Sequence, residues 1–307
     1  MMTNDLTLDP SIIKGKIKLR ISLPLVNDSI HINTDLGLSR AALTSVVGEK
    51  LEITRDFVGS GTPIDMARNI LAARFLASDD EWQLQIDPGL VFPTAVFEDI
   101  AGFYSSWLNP QSYRAFMKQG MIRQMFKINV IDELLRSAIK YGKTMVGGLC
   151  FINRGISSIE DMASIPNPDG SPFDISFTLA DDNHIDTSRL GAQFLLVHRS
   201  VYEDIERNYP ELRFTNPVII SNKPAYAYYQ PMVVEDNIIE SVEGTHKAYS
   251  SYLDGEFAFS ERASKSGHKP CINMNILLGN MGDKVYSWLD RPPIQKHFID
   301  LMDNNHE

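Results

Sequence analysis

Hydrophobic and polar positions alternate along the start of residues 16–26 (KIKLRISLPLV), with Ile17, Leu19 and Ile21 on one side, and the stretch ends apolar from Leu23 to Val26. That pattern predicts a strand closed at the proline. Residues 31–47 carry apolar positions spaced by three and four, which predicts a helix. KLEITRDFV then alternates through Leu51, Ile53 and Phe57, a second strand. The turn GSGTP follows, where glycine relaxes the backbone and Pro63 sets a helix start. From Ile64 to Ala77, apolar residues recur at helical spacing (Ile64, Ala67, Ile70, Leu71, Phe75), which predicts an amphipathic helix. SDDE stops it, and WQLQID reads as a third strand leading into PGLVFP. The order β-α-β-α-β predicts an α/β fold with a mostly parallel, twisted sheet flanked by helices.

Beyond this unit the pattern is looser. Residues 94–142 read as two or three helical pieces, and MVGGLCFI (145–152) as another buried strand. Residues 153–188, rich in Pro, Gly, Asp and Asn, predict a long irregular excursion with short strands. GAQFLLVHRSVYEDIERNYPEL (191–212) reads as strand, helix and a stop at Pro210. Residues 214–249 read as irregular or β, 254–266 as a helix, and CINMNILLG (271–279) as a late strand, with a short helix after Pro293. The sequence holds no internal repeat.

Composition narrows the classes. The chain has 307 residues, is 43% hydrophobic and 22% charged, and carries a formal net charge of -10. It is long enough for a sizeable core, and its charge argues against a surface that binds phosphates all over. A local exception runs through 111–147, where seven Lys or Arg face two acids. Within it, Arg114, Lys118, Arg123 and Lys127 are interleaved with Phe116, Met117, Met121, Met125 and Phe126. Three readings stand side by side: a solvated amphipathic face, a contact for a polyanionic acceptor such as DNA, and a groove for a partner protein. Cys150 and Cys271 are too few for a disulfide framework or a structural zinc site and read as small buried residues. No apolar run reaches the ~18 to 20 residues of a membrane span, and the polar start lacks a signal peptide. A soluble protein of the cytoplasm is expected, the host's cytoplasm if the source is a virus. A Rossmann dehydrogenase is disfavoured because no G-x-G-x-x-G follows the first strand.

The stretch with most chemistry is IDMARNILAARFLASDDEWQLQIDPGLVFP, residues 64–93. A helix bearing Arg68 and Asn69 feeds a strand that ends on Asp87, where open α/β sheets bind their ligands. This stretch resembles the GT-A glycosyltransferases, in particular a group frequent in viruses and bacteria with an "ARN…FL…D" helix and a strand ending in Asp-x-Asp. Three further blocks match in order. Residues 191–212 resemble that family's "G-F-x-L-I-R-R-x-V-F…P-E-L" segment. LDGEFAFSERASKSGHK (253–269) resembles its "L-S-E-D-Y-A-F-C-R-R…G-G" helix. NILLGNMGDKVYSW (275–288) resembles its "L-x-H-x-G" segment. The resemblance covers roughly residues 16–288.

It implies a single GT-A-like domain over 1–307, with a nucleotide-binding half at 16–110, the basic segment at 111–147, an acceptor-side half at 148–290, and a C-terminal helix and tail at 291–307. It implies transfer of a sugar from a UDP- or GDP-sugar to an acceptor hydroxyl, where charge on the departing diphosphate must be neutralised. The implied donor contacts are Pro24, Arg68, Asn69, Asp87 and Gly89. Arg68 and Asn69 would hold base, ribose or the Asp87 loop, against the alternative of a solvated helix face. Mg2+ or Mn2+ would sit on Asp87. Here the chain departs from the family: Gly89 stands for the second carboxylate and Asn280 for the histidine that usually completes the site. One carboxylate with diphosphate and water can still suit Mg2+.

Glu256, with Asp254 beside it, is the candidate base that deprotonates or orients the acceptor hydroxyl, with helix capping as the rival role. Asp65, in the first helical turn, reads as an acid complementing the helix dipole. The seven histidines lack ligand spacing and read as surface or satisfied core residues; His198 lies in VHRSV after a strand, and His246, in the loop before the acidic helix, is the one to watch. The acceptor, whether modified DNA, a protein side chain or a glycan, is left open. The departures at Gly89 and Asn280 support a second reading, a non-catalytic GT-A-like binding or structural protein.

Overall fold

The computed structural model describes residues 8–25, 28–59, 61–91, 128–149, 163–164, 182–187, 189–215, 225–236, 249–281 and 285–286. The expected β-α-β-α-β opening is present as β1 (Ile17–Pro24), α1 (Ile32–Leu43), β2 (Leu51–Val58), α2 (Ile64–Ala77) and β3 (Trp82–Ile86). β1 pairs in parallel with β2 on one side and β3 on the other. The chain therefore reverses its direction of travel across the sheet at β1. In open α/β sheets such a reversal opens a crevice at the carboxyl ends of the strands, here between β1 and β3.

The sheet continues through β9 (Phe194–His198), β5 (Met145–Leu149), β14 (Cys271–Leu277) and β7 (His184–Asp186), giving the order β2-β1-β3-β9-β5-β14-β7. β9 runs antiparallel to both β3 and β5, and β7 runs antiparallel to β14, while β14 and β5 are parallel. Five of the seven strands thus point one way, so the sheet is mostly parallel with two reversed strands. Helices α3 (Val130–Tyr141), α4 (Arg199–Asn208) and α5 (Gly255–Lys265) flank it. A small sheet joins β4 (Leu90–Val91), β15 (Gly279–Met281) and β16 (Val285–Tyr286). β12 (Met232–Asp236) and β13 (Tyr249–Leu253) form a separate ribbon.

The core follows the period-two pattern of the strands. Leu19, Ile21 and Leu23 of β1 are fully buried, as are Leu84 and Ile86 of β3. Helix α2 differs from the amphipathic helix expected. Its span is as predicted, but Ala67 through Ala73, Phe75 and Leu76 are all buried, so it has almost no wet face. It lies on β1 and β2, and its end is clamped by Arg199, which donates to the carbonyls of Phe75, Leu76, Ser78 and Asp80. A guanidinium at a helix C-terminus satisfies carbonyls that no longer have an intrahelical partner.

A buried polar layer runs beneath the sheet's carboxyl end. Gln83 and Gln85 alternate with Trp82, Leu84 and Ile86 in β3, and both are fully buried. Gln83 Nε2 donates to Ser22 Oγ at 2.8 Å, Tyr202 donates to Gln83 Oε1 at 2.5 Å, and Gln85 Nε2 donates to Tyr202 at 2.9 Å and also reaches the Tyr229 hydroxyl. Paired in this way, the amides escape most of the cost of burial without partners.

The remaining expected elements fall as follows. The strand and helix of 191–212 and the stop at Pro210 are present. The late strand ends at Leu277 rather than at Gly279, after which the chain enters the small sheet. The helical pieces expected between 94 and 127 and the helix after Pro293 lie outside the described residues.

Close strand packing needs glycine at one central position. A Cβ on Gly147 would come within 2.9 Å of the Phe194 carbonyl oxygen and 2.8 Å of Leu190 Cδ2. The carbonyl belongs to the backbone of neighbouring β9 and cannot rotate away. Gly147→Ala is therefore expected to destabilise the protein by about 1–3 kcal/mol, measured as a lower urea midpoint at unchanged slope.

Candidate functional site

Asp87 follows β3 directly, at the carboxyl edge beside the reversal of strand order. Its turn is held from several sides. Asp87 N donates to the Gln193 carbonyl at 2.8 Å, and His31 N donates to the Pro88 carbonyl at 2.8 Å. Thr34 Oγ1 lies 2.9 Å from the Pro88 carbonyl oxygen and 2.6 Å from that of Leu90. The start of α1 thus fastens the turn that carries Asp87 and Gly89. Pro24 ends β1 on the same edge, opposite Val58 of β2.

Arg68 stands one turn into α2 with its side chain fully buried. Its Nη2 donates to Asp87 Oδ1 at 2.7 Å, and its Nη1 lies 2.7 Å from Glu256 Oε1. The second contact is ionic rather than a well-aligned hydrogen bond. Among the described residues, neither Arg68 Nε nor Gln85 Oε1, both buried, has a hydrogen-bond partner. The two carboxylates remain partly wet, with side-chain exposures of 25% for Asp87 and 20% for Glu256. One guanidinium therefore bridges two acids from the protein side, and both acids face outward.

Glu256 is brought there by α5. Asp254 caps that helix by accepting from Phe257 N at 3.1 Å, so the capping role belongs to Asp254 and not to Glu256. Glu256 Oε2 accepts from Ala192 N at 2.9 Å. Between the two acids, Gly255 permits a close approach: a Cβ there would sit 2.4 Å from the Tyr229 carbonyl oxygen and 2.3 Å from Asp65 Oδ1. Asn69 Oδ1 accepts from Tyr229 N at 3.0 Å, which ties α2 to the turn beside Gly255. Asn69 is accordingly buried and committed to the backbone, and neither Arg68 nor Asn69 lies on a solvated helix face.

Electrostatics follow from this packing. Burial alone would lower the Arg68 pKa, but Glu256 and Asp87 raise it above its ordinary value, so the guanidinium is permanently charged. Burial raises Asp87 to about 6, with Arg68 pulling down and Glu256 pushing up. Asp65, beside Gly255, is raised chiefly by burial, with Arg68 opposing and Glu256 and Asp254 adding to the rise. Three acids, Asp87, Glu256 and Asp65, thus interact with one arginine, and Asp254 acts on Asp65. Among the described residues no group of three or more His, Cys, Asp or Glu is arranged to hold a metal ion. Asn280 lies in β15 opposite Leu90, so the backbone register brings it beside the Asp87 turn.

Other candidates lie elsewhere. His198 caps α4, accepting from Ser200 N, and its ring packs 4.6 Å from that of Trp82. Its pKa is lowered, mainly by burial. Cys271 is buried, and burial pushes its thiol up to about 12. Arg114, Lys118, Arg123, Lys127, His246 and Cys150 lie outside the described residues. A Ser137–His184–Asp182 string has contacts of 2.8 and 2.9 Å, yet Ser137 is fully buried. Its hydroxyl donates to the Glu133 carbonyl and accepts from Asn273. That hydroxyl is committed to packing and presents no nucleophile.

Sequence reasoning missed Gly255, the Ala192 amide and the Gln83–Gln85 layer. The glutamines carried a signal, since two amides alternating in a central strand must find buried partners, but an outward polar face writes the same pattern. Gly255 and Ala192 carried none, because their roles are set by what approaches them.

No protein-family model and no curated protein matches the chain. Among solved structures, A197 from STIV is similar at a TM-score of 0.38 and 11% identity, over 90% of this chain and 96% of that one.

Two measurements check the electrostatics. Arg68→Met leaves two partly buried carboxylates facing each other and is expected to cost about 3–5 kcal/mol in urea unfolding, with part recovered on adding Glu256→Gln. The Asp87 carboxyl, raised from 3.8 to about 6, binds a proton more tightly folded than unfolded. Its contribution to stability is complete below 3.8 and is lost as the pH rises through about 6. Melting curves of wild type against Asp87→Asn should show the wild type losing ground between pH 4 and 7 by up to about 3 kcal/mol. A flat difference would show that Asp87 is not perturbed.

Proposed function

We propose that the protein transfers a sugar from a nucleotide-diphosphate donor, a UDP- or GDP-sugar, to a hydroxyl of an acceptor. The observation that carries this reading is the Arg68-bridged pair of Asp87 and Glu256 at the carboxyl end of β3, beside the reversal of strand order. A crevice there suits a nucleotide, and two carboxylates held apart by one fixed cation suit two different tasks. The GT-A resemblance of the matching segments supports the same assignment.

Asp87, with Pro24 and Gly89 on the same edge, is the donor side. Gly89 lets backbone approach the diphosphate closely. Asp87 offers one carboxylate to a divalent ion carried with the diphosphate; bound Mg2+ or Mn2+ would supply neutralisation of the leaving group's charge. The set fits an ion held mainly by phosphate and water, because Gly89 has no side chain and Arg68 already engages one Asp87 oxygen. Asn280, beside the turn, is the remaining candidate ligand.

Glu256 is the acceptor side. Each of its carboxylate oxygens meets one donor, Arg68 or Ala192 N, and an oxygen has a further lone pair to offer. In the reaction the acceptor oxygen bonds to the anomeric carbon, the bond from that carbon to the diphosphate breaks, and its electron pair leaves with the nucleoside diphosphate. Glu256 receives or orients the acceptor proton. Arg68 does not face the crevice; it is a positioning residue that fixes both acids. Asp254 acts through the helix it caps.

A second reading, a non-catalytic binding module on the same frame, is favoured by one observation: Arg68 draws charge from both acids that chemistry would need. Calorimetric titration with UDP- and GDP-sugars, with and without Mg2+ or Mn2+, separates the cases. The transfer reading expects binding that weakens in Asp87→Asn, together with slow sugar release that Glu256→Gln lowers by about 100-fold or more. Binding without any turnover leaves the binding module, and no binding by any donor sinks both.

A further inference from the structure

The β12–β13 ribbon has two unlike faces. Its inner face, Val234 and Leu253 with Met232, packs on Ala258 and Phe257 of α5. Its outer face carries Val233 directly opposite Tyr252, and on the next rung Glu235 opposite Ser250. Val233 is 63% exposed and Tyr252 is 71% exposed. Among the described residues, the packing of the ribbon comes from its inner face, and Val233 and Tyr252 stand exposed on the other.

Both strands of the ribbon meet the candidate site at the same end, where Met232 pairs with Leu253. β12 begins just after Tyr229, whose amide is held by Asn69 and whose carbonyl lies against Gly255. β13 runs directly into Asp254 and Glu256 at the start of α5. Tyr252 precedes Glu256 by four residues, so extended chain puts at most about 14 Å between their Cα atoms. That is within the reach of a short oligosaccharide.

The chemistry of the face selects a class of ligand. An aromatic ring presents a negative face, which suits the polarised C–H groups on one side of a sugar ring. Beside it, the Glu235 carboxylate and Ser250 hydroxyl suit sugar hydroxyls. The same carboxylate, with Asp254 at the foot of the ribbon and a net charge of -10, disfavours a polyanion. We infer that the outer face of this ribbon, Val233, Glu235, Ser250 and Tyr252, is a platform for an uncharged glycan acceptor that is led from Tyr252 to Glu256. The inference rests on the transfer reading of the Glu256 site and names its acceptor.

The test uses the full chain and three uncharged probes, cellohexaose, maltohexaose and mannohexaose, followed by saturation-transfer NMR and titration without donor. At least one should bind. Tyr252→Ala should weaken that binding by about tenfold, Tyr252→Phe should keep it, and Leu43→Ala, a change at an exposed apolar residue outside this face, should leave it unchanged. Binding should be insensitive to salt, as expected for an uncharged ligand. The inference is overturned if no hexasaccharide binds, if Tyr252→Ala binds as well as wild type, or if a short single-stranded DNA binds through Tyr252 instead. Donor titration on the same samples separates the two failures. Intact donor binding with no glycan effect removes the acceptor assignment alone, whereas loss of donor binding in wild type removes the reading beneath it.

Discussion

The site depends on the burial of one guanidinium. Arg68 has no exposed surface, and a charge so placed is tolerated only because Asp87 and Glu256 both lie 2.7 Å from its nitrogens. Those two acids come from different parts of the fold, one from the end of β3 and one from the first turn of α5. The guanidinium therefore joins the β-α-β-α-β start of the chain to its later part. It also fixes how far apart the two carboxylates can be. Removing it would leave like charges together in a half-buried setting, which is why the pair constrains the whole carboxyl edge.

The neighbouring structure is arranged to keep that interaction dry. Asn69 gives up its side chain to the Tyr229 amide, and Gly255 lets α5 close against the same turn. Beneath them the Gln83, Gln85, Tyr202 and Tyr229 side chains satisfy one another in a fully buried layer. Arg68 Nε and Gln85 Oε1 break the pattern, each buried without a hydrogen-bond partner among the described residues. An unpaired buried polar atom costs about 1–3 kcal/mol, so stability is given up beside the very group that orders the two acids. Such local costs gather where a site needs geometry more than it needs packing.

The same arrangement sets the state of Asp87. Gly89 gives no ligand, and part of the Asp87 charge is met from within by Arg68. Asp87 is consequently raised rather than lowered, because burial outweighs the single cation that it shares with Glu256. The carboxylate at this edge is thus neither fully solvated nor fully neutralised. Asp87 and Glu256 reach the same guanidinium from different places in the fold, one on the sheet edge and one on the helix against which the ribbon packs.

Much of the frame was legible in the residues alone. Period-two and period-3.6 patterns set β1, β2, β3 and α2, and the reading of Asp87 as a strand end needed only the proline that follows it. Those features depend on near neighbours in the chain. The pairing of Arg68 with Glu256 does not, since it joins residues far apart in sequence and exists only once α5 has docked. The burial of α2 on every side likewise depends on what covers it, and an Ala-Arg-Asn step looks the same on a wet helix as on a buried one. The reversal of β9 in the sheet and the close approach at Gly255 were also decided by tertiary packing. Local periodicity records what each segment buries, whereas the partner of a buried charge is chosen by the assembled fold.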